Sequence, residues 1–277
     1  MSQLIHMRQR IKTVETIKRI THAMRLISRS SHFRLSKQRH ALKNYQSYLT
    51  DIFAQLCNKY PNWSWICSDQ KNSNDTLLII VGSHKGLCGS YNSALFNFFN
   101  HYLQTQTLST VHIISIGRKA QEFIRTYYPK QEFQTFIEYN ATTLAAIAHE
   151  LTEIVSNCNY RNIIIISNKI KNFFVYYPHI TILVPFIQPA LNIKPDDMLT
   201  IEGDPYTMLD QLAKIYIQAT IQNLLFEAYL AEQSSRFISM DNATRNADTI
   251  LENTRLDYNK LRQAKITKEM IEISSSY

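Results

Sequence analysis

The sequence predicts an α/β protein in which two long N- and C-terminal helices form an antiparallel coiled coil and bracket a small central α/β domain. All five glycines lie between Gly82 and Gly203, and residues 1–60 and 206–277 contain neither glycine nor proline. Gly and Pro most readily interrupt a helix, so each terminal segment is long enough for one continuous helix of roughly 90–110 Å. Between them, short β-branched runs alternate with helical patterns, which is typical of α/β domains.

The N-terminal coiled-coil helix is predicted over residues 1–60 and ends at Pro61. Its apolar residues recur in steps of three or four. They form one stripe made of Leu4, Met7, Ile11, Val14, Ile17, Ile20, Met24 and Ile27. A stripe this narrow is closer to a coiled-coil seam than to the face of a core helix, so the sequence predicts a partner helix.

The central domain is predicted over residues 76–200, after a loop at residues 61–75. Strands that alternate with helices predict a Rossmann-like domain with a largely parallel sheet. The predicted strands are Thr76–Val81, Val111–Ile116, Asn162–Ser167, Phe173–Tyr177 and Ile180–Val184. The predicted helices are Asn92–Tyr102, Arg118–Tyr127 and Thr142–Cys158, and Asn140 is the expected cap of the last.

The C-terminal coiled-coil helix is predicted over residues 206–277, with small residues at Ala243 and Ala247 that permit close approach of another helix. Neither long helix buries its seam alone, and antiparallel pairing of the two is the simplest solution. The distal part of the second helix is rich in polar residues in helical register. Arginine and glutamine there offer directional hydrogen bonds, which suit docking on a loop.

The net charge of +8 lies almost entirely on the first helix. Residues 1–45 carry 11 Lys/Arg and one acidic residue, Glu15, whereas the rest of the chain carries 19 basic and 21 acidic residues. This imbalance indicates an acidic partner, such as nucleic acid, anionic lipid or an acidic protein surface. A solvated helix face is the usual alternative for a charge run, but it commonly carries charges of both signs.

Several classes of function are disfavoured, and no catalytic, cofactor-binding or metal site is predicted. The four cysteines form no CxxC pair, which favours free thiols in a reducing compartment. The segment GSHKGLCGS matches neither the dinucleotide fingerprint nor the P-loop, so we interpret it as a tight strand-to-helix turn. The sequence has no run of 18 apolar residues and no signal-peptide pattern at its N-terminus.

Three motifs carry a resemblance to a known family. The stretch LDYNKLRQAKITKEMIEI (Leu256–Ile273) closely resembles the C-terminal signature of the gamma subunit of F-type (F1Fo) ATP synthases. The segment IKTVETIKRITHAMRLI (Ile11–Ile27) resembles the first helix of that family. The turn Gly86-Leu87-Cys88-Gly89 with Asn92 looks like its glycine-rich turn, although His84-Lys85 replace the usual acidic–Arg pair. The motifs occur in the family's order.

The resemblance implies a central rotor shaft that couples ion flow through a c-ring to ATP synthesis and hydrolysis on beta subunits. It implies a non-catalytic subunit of a proton-transporting ATP synthase, with no cofactor and no nucleic acid. The implied partners are the alpha and beta subunits of an alpha3beta3 ring, the epsilon subunit and the c-ring, which the central domain contacts as a foot. The lack of a presequence favours a peripheral position on the cytoplasmic face of a bacterial inner membrane.

The resemblance also implies which residues contact the beta-subunit loops. On the C-terminal helix, Arg236, Gln263 and Thr267 match the family's contact positions. On the N-terminal helix, the residues expected to face an acidic beta-subunit loop are Lys18, Arg19, Met24 and Arg25.

A basic coiled-coil nucleic-acid-binding protein is the alternative from another class. It predicts an affinity that falls steeply as the salt concentration rises. Aromatic residues for base stacking would favour it, but Phe33 is the only Phe, Tyr or Trp in residues 1–44.

Overall fold

A computed structural model describes residues 2–60, 63, 75–105, 110–157, 160–185 and 204–275. The chain divides into two compact units. The terminal unit consists of Met1–Ser30 and Arg236–Tyr277, and the central unit consists of Ser31–Ser235. The predicted three-part division, 1–60, 76–200 and 206–277, stays a prediction because residues 186–203 lie outside the described part.

Both long helices predicted from the lack of breakers are present. Helix α1 spans Ser2–Lys59 and helix α5 spans Pro205–Ser275. Pro205 occupies the first position of α5, where a missing backbone N–H costs nothing because that group has no partner within the helix. Among the described residues, no helix is both long and apolar enough to cross a lipid bilayer.

The central unit holds a five-stranded sheet. Its strands are β1 (Asp75–Val81), β2 (Thr110–Ile116), β3 (Glu132–Phe136), β4 (Asn162–Asn172) and β5 (Val175–Val184), and their order is β3-β2-β1-β4-β5. The first four strands in this order pair in parallel, and β5 pairs antiparallel with β4. The predicted, largely parallel sheet is therefore confirmed.

Three shorter helices complete the central unit: α2 (Tyr91–Thr105), α3 (Arg118–Tyr127) and α4 (Leu144–Asn157). Side chains alternate between the two faces of a strand, and both faces of β1 are buried. Leu77 and Ile79 pack with α4 and with central-unit residues of α1 and α5. Leu78 and Ile80 pack with α2 and α3 on the other face. The sheet thus lies between two helical layers.

Two details of the sheet differ from the sequence prediction. Strand β3 was not predicted, because it is short and only partly buried and so lacks a run of apolar residues. The separate strands predicted at Phe173–Tyr177 and Ile180–Val184 are replaced by the single strand β5, which begins at Val175 and passes through Pro178, while Phe173 and Phe174 lie in the turn before it. Proline is tolerated there because β5 is an edge strand and pairs only with β4.

The turn after β1 is the tight connection that the glycine spacing predicts. A Cβ atom at Gly82 would lie 2.9 Å from the Cβ of Ala120, so helix α3 approaches too closely for a larger residue. Leu87 and Gly89 adopt left-handed conformations, with φ of 62° and 54°. The Asn92 side chain accepts a 3.0 Å hydrogen bond from the Ser83 backbone N–H and therefore holds the turn closed.

Hydroxyl groups anchor α5 to the rest of the central unit. The Tyr139 hydroxyl donates to the Leu225 carbonyl at 2.5 Å, and the Tyr91 hydroxyl donates to the Ala228 carbonyl at 2.9 Å. On the helix side, the Ser235 hydroxyl donates to the Cys88 carbonyl at 2.6 Å. Burial, the largest cause, raises the pKa of Tyr139 well above its usual value, so its hydroxyl remains a donor.

Arg39 joins three elements of the central unit. Its guanidinium donates from Nη2 to the Ile170 carbonyl of β4 at 3.2 Å and to the Glu227 carboxylate of α5 at 3.3 Å. Glu227 is buried, so removal of Arg39 alone would leave a buried carboxylate without this cation. Sequence reasoning counted Arg39 only as part of the basic excess.

We predict that Tyr139→Phe lowers the free energy of unfolding by about 1 kcal/mol, the usual contribution of one buried hydrogen bond. The ring is retained, so the packing of the buried side chain is unchanged. The measurement is urea unfolding of the variant and the parent protein. Tyr127→Phe is the matched control because Tyr127 is exposed. Equal stability of Tyr139→Phe and the parent protein would contradict the anchoring role of the hydroxyl.

Candidate partner-binding surface

The two helix segments of the terminal unit pair in antiparallel orientation through charged side chains. Glu15 accepts a 2.5 Å hydrogen bond from Arg255, and Asp241 accepts a 2.6 Å hydrogen bond from Arg25. Between these two pairs, Lys18 forms an ion pair with Asp248. Residue numbers rise along α1 as their partners' numbers fall along α5, which defines the antiparallel pairing predicted from the sequence.

The seam of the terminal unit departs from the predicted apolar stripe at Ile17, whereas the stripe residues Leu4, Met7, Ile11, Val14 and Met24 are half-buried. Ile17, Ile20 and Ile27 are exposed. Buried Thr21 lies there instead, and it accepts a 3.0 Å hydrogen bond from Thr244. Each step of three residues falls about 60° short of a full helical turn. The two such steps from Val14 to Ile17 and from Ile17 to Ile20 therefore rotate the stripe away from the partner helix. Among residues 3–30, Thr21 and Ser28 are the buried ones, and both are small.

The four predicted contact residues of α1 occupy two kinds of environment. Lys18 and Arg25 form ion pairs with α5, and Met24 is half-buried. Arg19, by contrast, is exposed. Two of the three predicted cations therefore already hold the helix pair together, and Arg19 is the one that extends into solvent.

The three predicted contact residues of α5 are also divided. Arg236 is buried, with 6% of its surface exposed. Gln263 and Thr267 are exposed, and the Thr267 hydroxyl donates to the Gln263 backbone carbonyl at 3.0 Å. Their spacing of four residues places both on one face of the helix. This bond uses the backbone carbonyl of Gln263, and the Gln263 side chain itself is exposed.

The electrostatic surface of the terminal unit is basic on one helix and balanced on the other. Residues 1–30 carry seven Lys/Arg and one acidic residue, whereas residues 236–277 carry seven Lys/Arg and six Asp/Glu. The pKa of Asp241 is held below its usual 3.8, chiefly by the hydrogen bond from Arg25 and also by nearby Arg245. The acidic residues on α5 were not considered as partners of α1 in the sequence prediction.

Exposed apolar side chains accompany the exposed cations on this unit. On α1 they are Ile5, Ile17, Ile20, Leu26 and Ile27, and on α5 they are Ile250, Leu256, Ile266, Met270, Ile271 and Ile273. A surface that combines large apolar residues with cations fits a protein partner with an acidic rim and apolar contacts. The sequence shows these apolar residues, but the prediction assigned Ile17, Ile20 and Ile27 to the seam with the partner helix.

Metal and thiol chemistry give no further site among the described residues. No group of three or more His, Cys, Asp or Glu side chains there is arranged to hold a metal ion. Cys57 and Cys88 are buried free thiols, and burial raises the pKa of Cys57 to about 11. These two thiols match the predicted kind of cysteine, while Cys67 and Cys158 lie outside the described residues.

Comparison with known proteins gives a match over nearly the whole chain. The family model described as ATP synthase matches residues 3–277. The chain is 32% identical to the ATP synthase gamma chain of Mycoplasma capricolum, over 99% of this chain and 98% of that relative. It is 28% identical to the ATP synthase gamma chain of Mycoplasma mobile, over 99% and 97% of the two chains.

Solved structures with a similar fold come from mitochondrial ATP synthases. A chain of the Euglena gracilis OSCP/F1/c-ring structure aligns with a TM-score of 0.71 at 16% identity, covering 99% of this chain and 93% of that chain. A chain of the Tetrahymena thermophila central stalk/c-ring structure aligns with a TM-score of 0.62 at 22% identity, covering 81% and 99%. At these identities the likeness establishes the fold.

We predict that Asp241→Asn destabilises the helix pair of the terminal unit at pH 7 by about 1 kcal/mol or less, as for other partly exposed ion pairs. Because the pKa of Asp241 is lowered in the folded state, its stabilisation is present above pH 3.8 and is lost as the pH falls through that lowered pKa. The difference between variant and parent should therefore shrink in acid.

The measurement is the free energy of unfolding as a function of pH. Asp257→Asn is the control because Asp257 is an exposed carboxylate on the same helix. A difference between Asp241→Asn and the parent protein that stays constant down to pH 2 would contradict the role of the ionised carboxylate.

Proposed function

The chain belongs to the ATP synthase family, and we propose that it acts as the gamma subunit, the central rotor shaft of an F1Fo ATP synthase. In this role it couples ion flow through the c-ring to ATP synthesis and hydrolysis on the beta subunits. The observation that carries the proposal is the pairing of two breaker-free helices in a chain that matches gamma chains over 99% of its length. A shaft that transmits torque requires continuous helices without soft joints.

The proposed partners are the alpha and beta subunits of an alpha3beta3 ring, the epsilon subunit and a c-ring. The similar Euglena chain comes from a structure that contains OSCP, F1 and the c-ring. The similar Tetrahymena chain comes from a central stalk and c-ring structure. The basic, partly apolar surface of the terminal unit supports an interaction with acidic protein loops.

Within the complex the chain is a non-catalytic subunit of a proton-transporting ATP synthase, as the resemblance to the family implies. It lies peripherally on the cytoplasmic face of the bacterial inner (plasma) membrane. The relatives from Mycoplasma capricolum and Mycoplasma mobile, both bacteria, support this location.

The contact residues divide into two roles under this proposal. Arg19, Gln263 and Thr267 touch beta-subunit loops directly, since all three are exposed. Lys18, Met24, Arg25 and Arg236 hold the helices in the position from which those contacts are made. The ion pairs of Lys18 and Arg25 with α5 support this second role.

The alternative, a basic coiled-coil nucleic-acid-binding protein, receives no support from the family match. Two acidic residues of α5 also account for part of the charge on α1, because Asp248 pairs with Lys18 and Asp241 pairs with Arg25.

Co-purification from membranes tests the assignment. An affinity-tagged copy of the full chain, expressed in its own cells, should bring down alpha, beta, epsilon and c subunits in one complex. A tagged chain that is recovered folded but without alpha and beta subunits would overturn the proposal. Recovery with nucleic acid that is lost at high salt would favour the alternative.

We predict that the double variant Gln263→Ala, Thr267→Ala lowers ATP synthesis in membrane vesicles about tenfold, because a loss of 1.4 kcal/mol in binding at the loop changes an equilibrium tenfold. The subunit composition of the complex and nucleotide binding by the ring should remain unchanged. Lys268→Ala is the matched control, since Lys268 is also an exposed residue of α5. Wild-type rates in the double variant would contradict the assigned contact.

A further inference from the structure

Helix α1 carries a second exposed face within the central unit, separate from the surface of the terminal unit. Six exposed positions there follow one another in steps of four, four, four, three and four residues, which keeps them on one face of the helix. We call this face the outer stripe, and it consists of Phe33, Lys37, Ala41, Tyr45, Tyr48 and Ile52. Its 20 residues extend about 30 Å along the helix axis.

The outer stripe is unusually apolar for a solvent-facing helix surface. The exposed fractions are 63% for Phe33, 52% for Tyr45 and 68% for Tyr48. The opposite side of the same helix is already used, because Leu35, Phe53 and Leu56 are buried in the core of the central unit. Packing of the core therefore leaves the large aromatic side chains of the stripe uncovered.

The profile of the stripe fits a second helix. Ala41 is small and lies between the longer side chains of Lys37 and Tyr45, so the row has a gap at Ala41. A side chain of a facing helix fits such a gap, as knobs fit holes in a coiled coil. A lipid surface has no matching relief and does not require this spacing.

Charge selects an acidic occupant. Asp51 is the one acidic residue among positions 33–52 and lies at the C-terminal end of the stripe, whereas the exposed cations Arg34 and Lys37 lie on or beside its N-terminal end. The Lys37 ammonium group lies 4.8 Å from the centre of the Phe33 ring, so the positive charge extends over the aromatic surface. A partner helix with carboxylates beside its apolar residues would pair with these cations.

We propose that the outer stripe binds an acidic amphipathic helix of another polypeptide chain. Aromatic anchors supply the apolar contact area, and Arg34 and Lys37 fix the orientation of the partner through ion pairs. The proposal rests on the proposed function only in that the partner is sought in the assembled complex. The stripe lies wholly in the central unit and involves none of the predicted beta-loop contact residues.

Site-specific photo-crosslinking in the purified complex tests the proposal. Benzoylphenylalanine replaces Tyr48 in one variant and Tyr127 in the control; Tyr127 is 67% exposed on α3. The expected result is a cross-link from position 48 to one protein segment that has net negative charge and an amphipathic helical pattern, identified by peptide mass spectrometry. Position 127 should not cross-link to that segment.

Charge reversal provides the second measurement. Arg34→Glu with Lys37→Glu should reduce the yield of the cross-link from position 48 at least fivefold, on the order of a 1 kcal/mol loss in affinity. Lys171→Glu, another exposed lysine of the central unit, should leave it unchanged. No protein cross-link, a cross-link to lipid, or a cross-link to a basic segment would each overturn the proposal. Co-purification of alpha and beta subunits with the same variants reports separately on the proposed function.

Discussion

The pairing of α1 with α5 is the constraint on which the rest of the structure depends. A long helix with one narrow apolar stripe is marginal by itself, because most helical stability in proteins comes from burial against a partner. In the terminal unit, ion pairs and a Thr21–Thr244 hydrogen bond hold α1 against α5. In the central unit, the Arg39–Glu227 ion pair and the stacking of Phe53 on Tyr216 join the same two helices.

These two modes of pairing suit different tasks. The small seam of the terminal unit leaves large apolar and basic side chains on the outside, where partner proteins can reach them. In the central unit, α5 is buried against the sheet and is anchored by the Tyr139 and Tyr91 hydroxyls and by Ser235. Such anchors resist sliding of the helix past the sheet, which is the requirement for passing a force from one to the other.

The elements that the sequence predicted best are those with strong local signals. Breakers delimit α1 and α5, and continuous β-branched runs mark β1, β2 and β4. Strand β3 was missed because its residues are half-exposed and carry no such run. At the candidate site the sequence indicated the positive charge of α1, and its assignment of partner contacts to α1 and α5 stays a prediction. It did not indicate that Arg236 is buried or that Lys18 and Arg25 are paired.

The sequence by itself determined the length of the helices, the need of each for a partner and the largely parallel sheet, because these depend on breakers and periodicity within a single segment. Tertiary structure alone decided which side of α1 becomes the seam. Ile17 and Ile20 are exposed while Thr21 is buried, since the choice depends on side chains of α5 more than 200 residues away. A hydrophobic side chain can be buried, but the shape and charge of the facing helix determine which residues of α1 are buried.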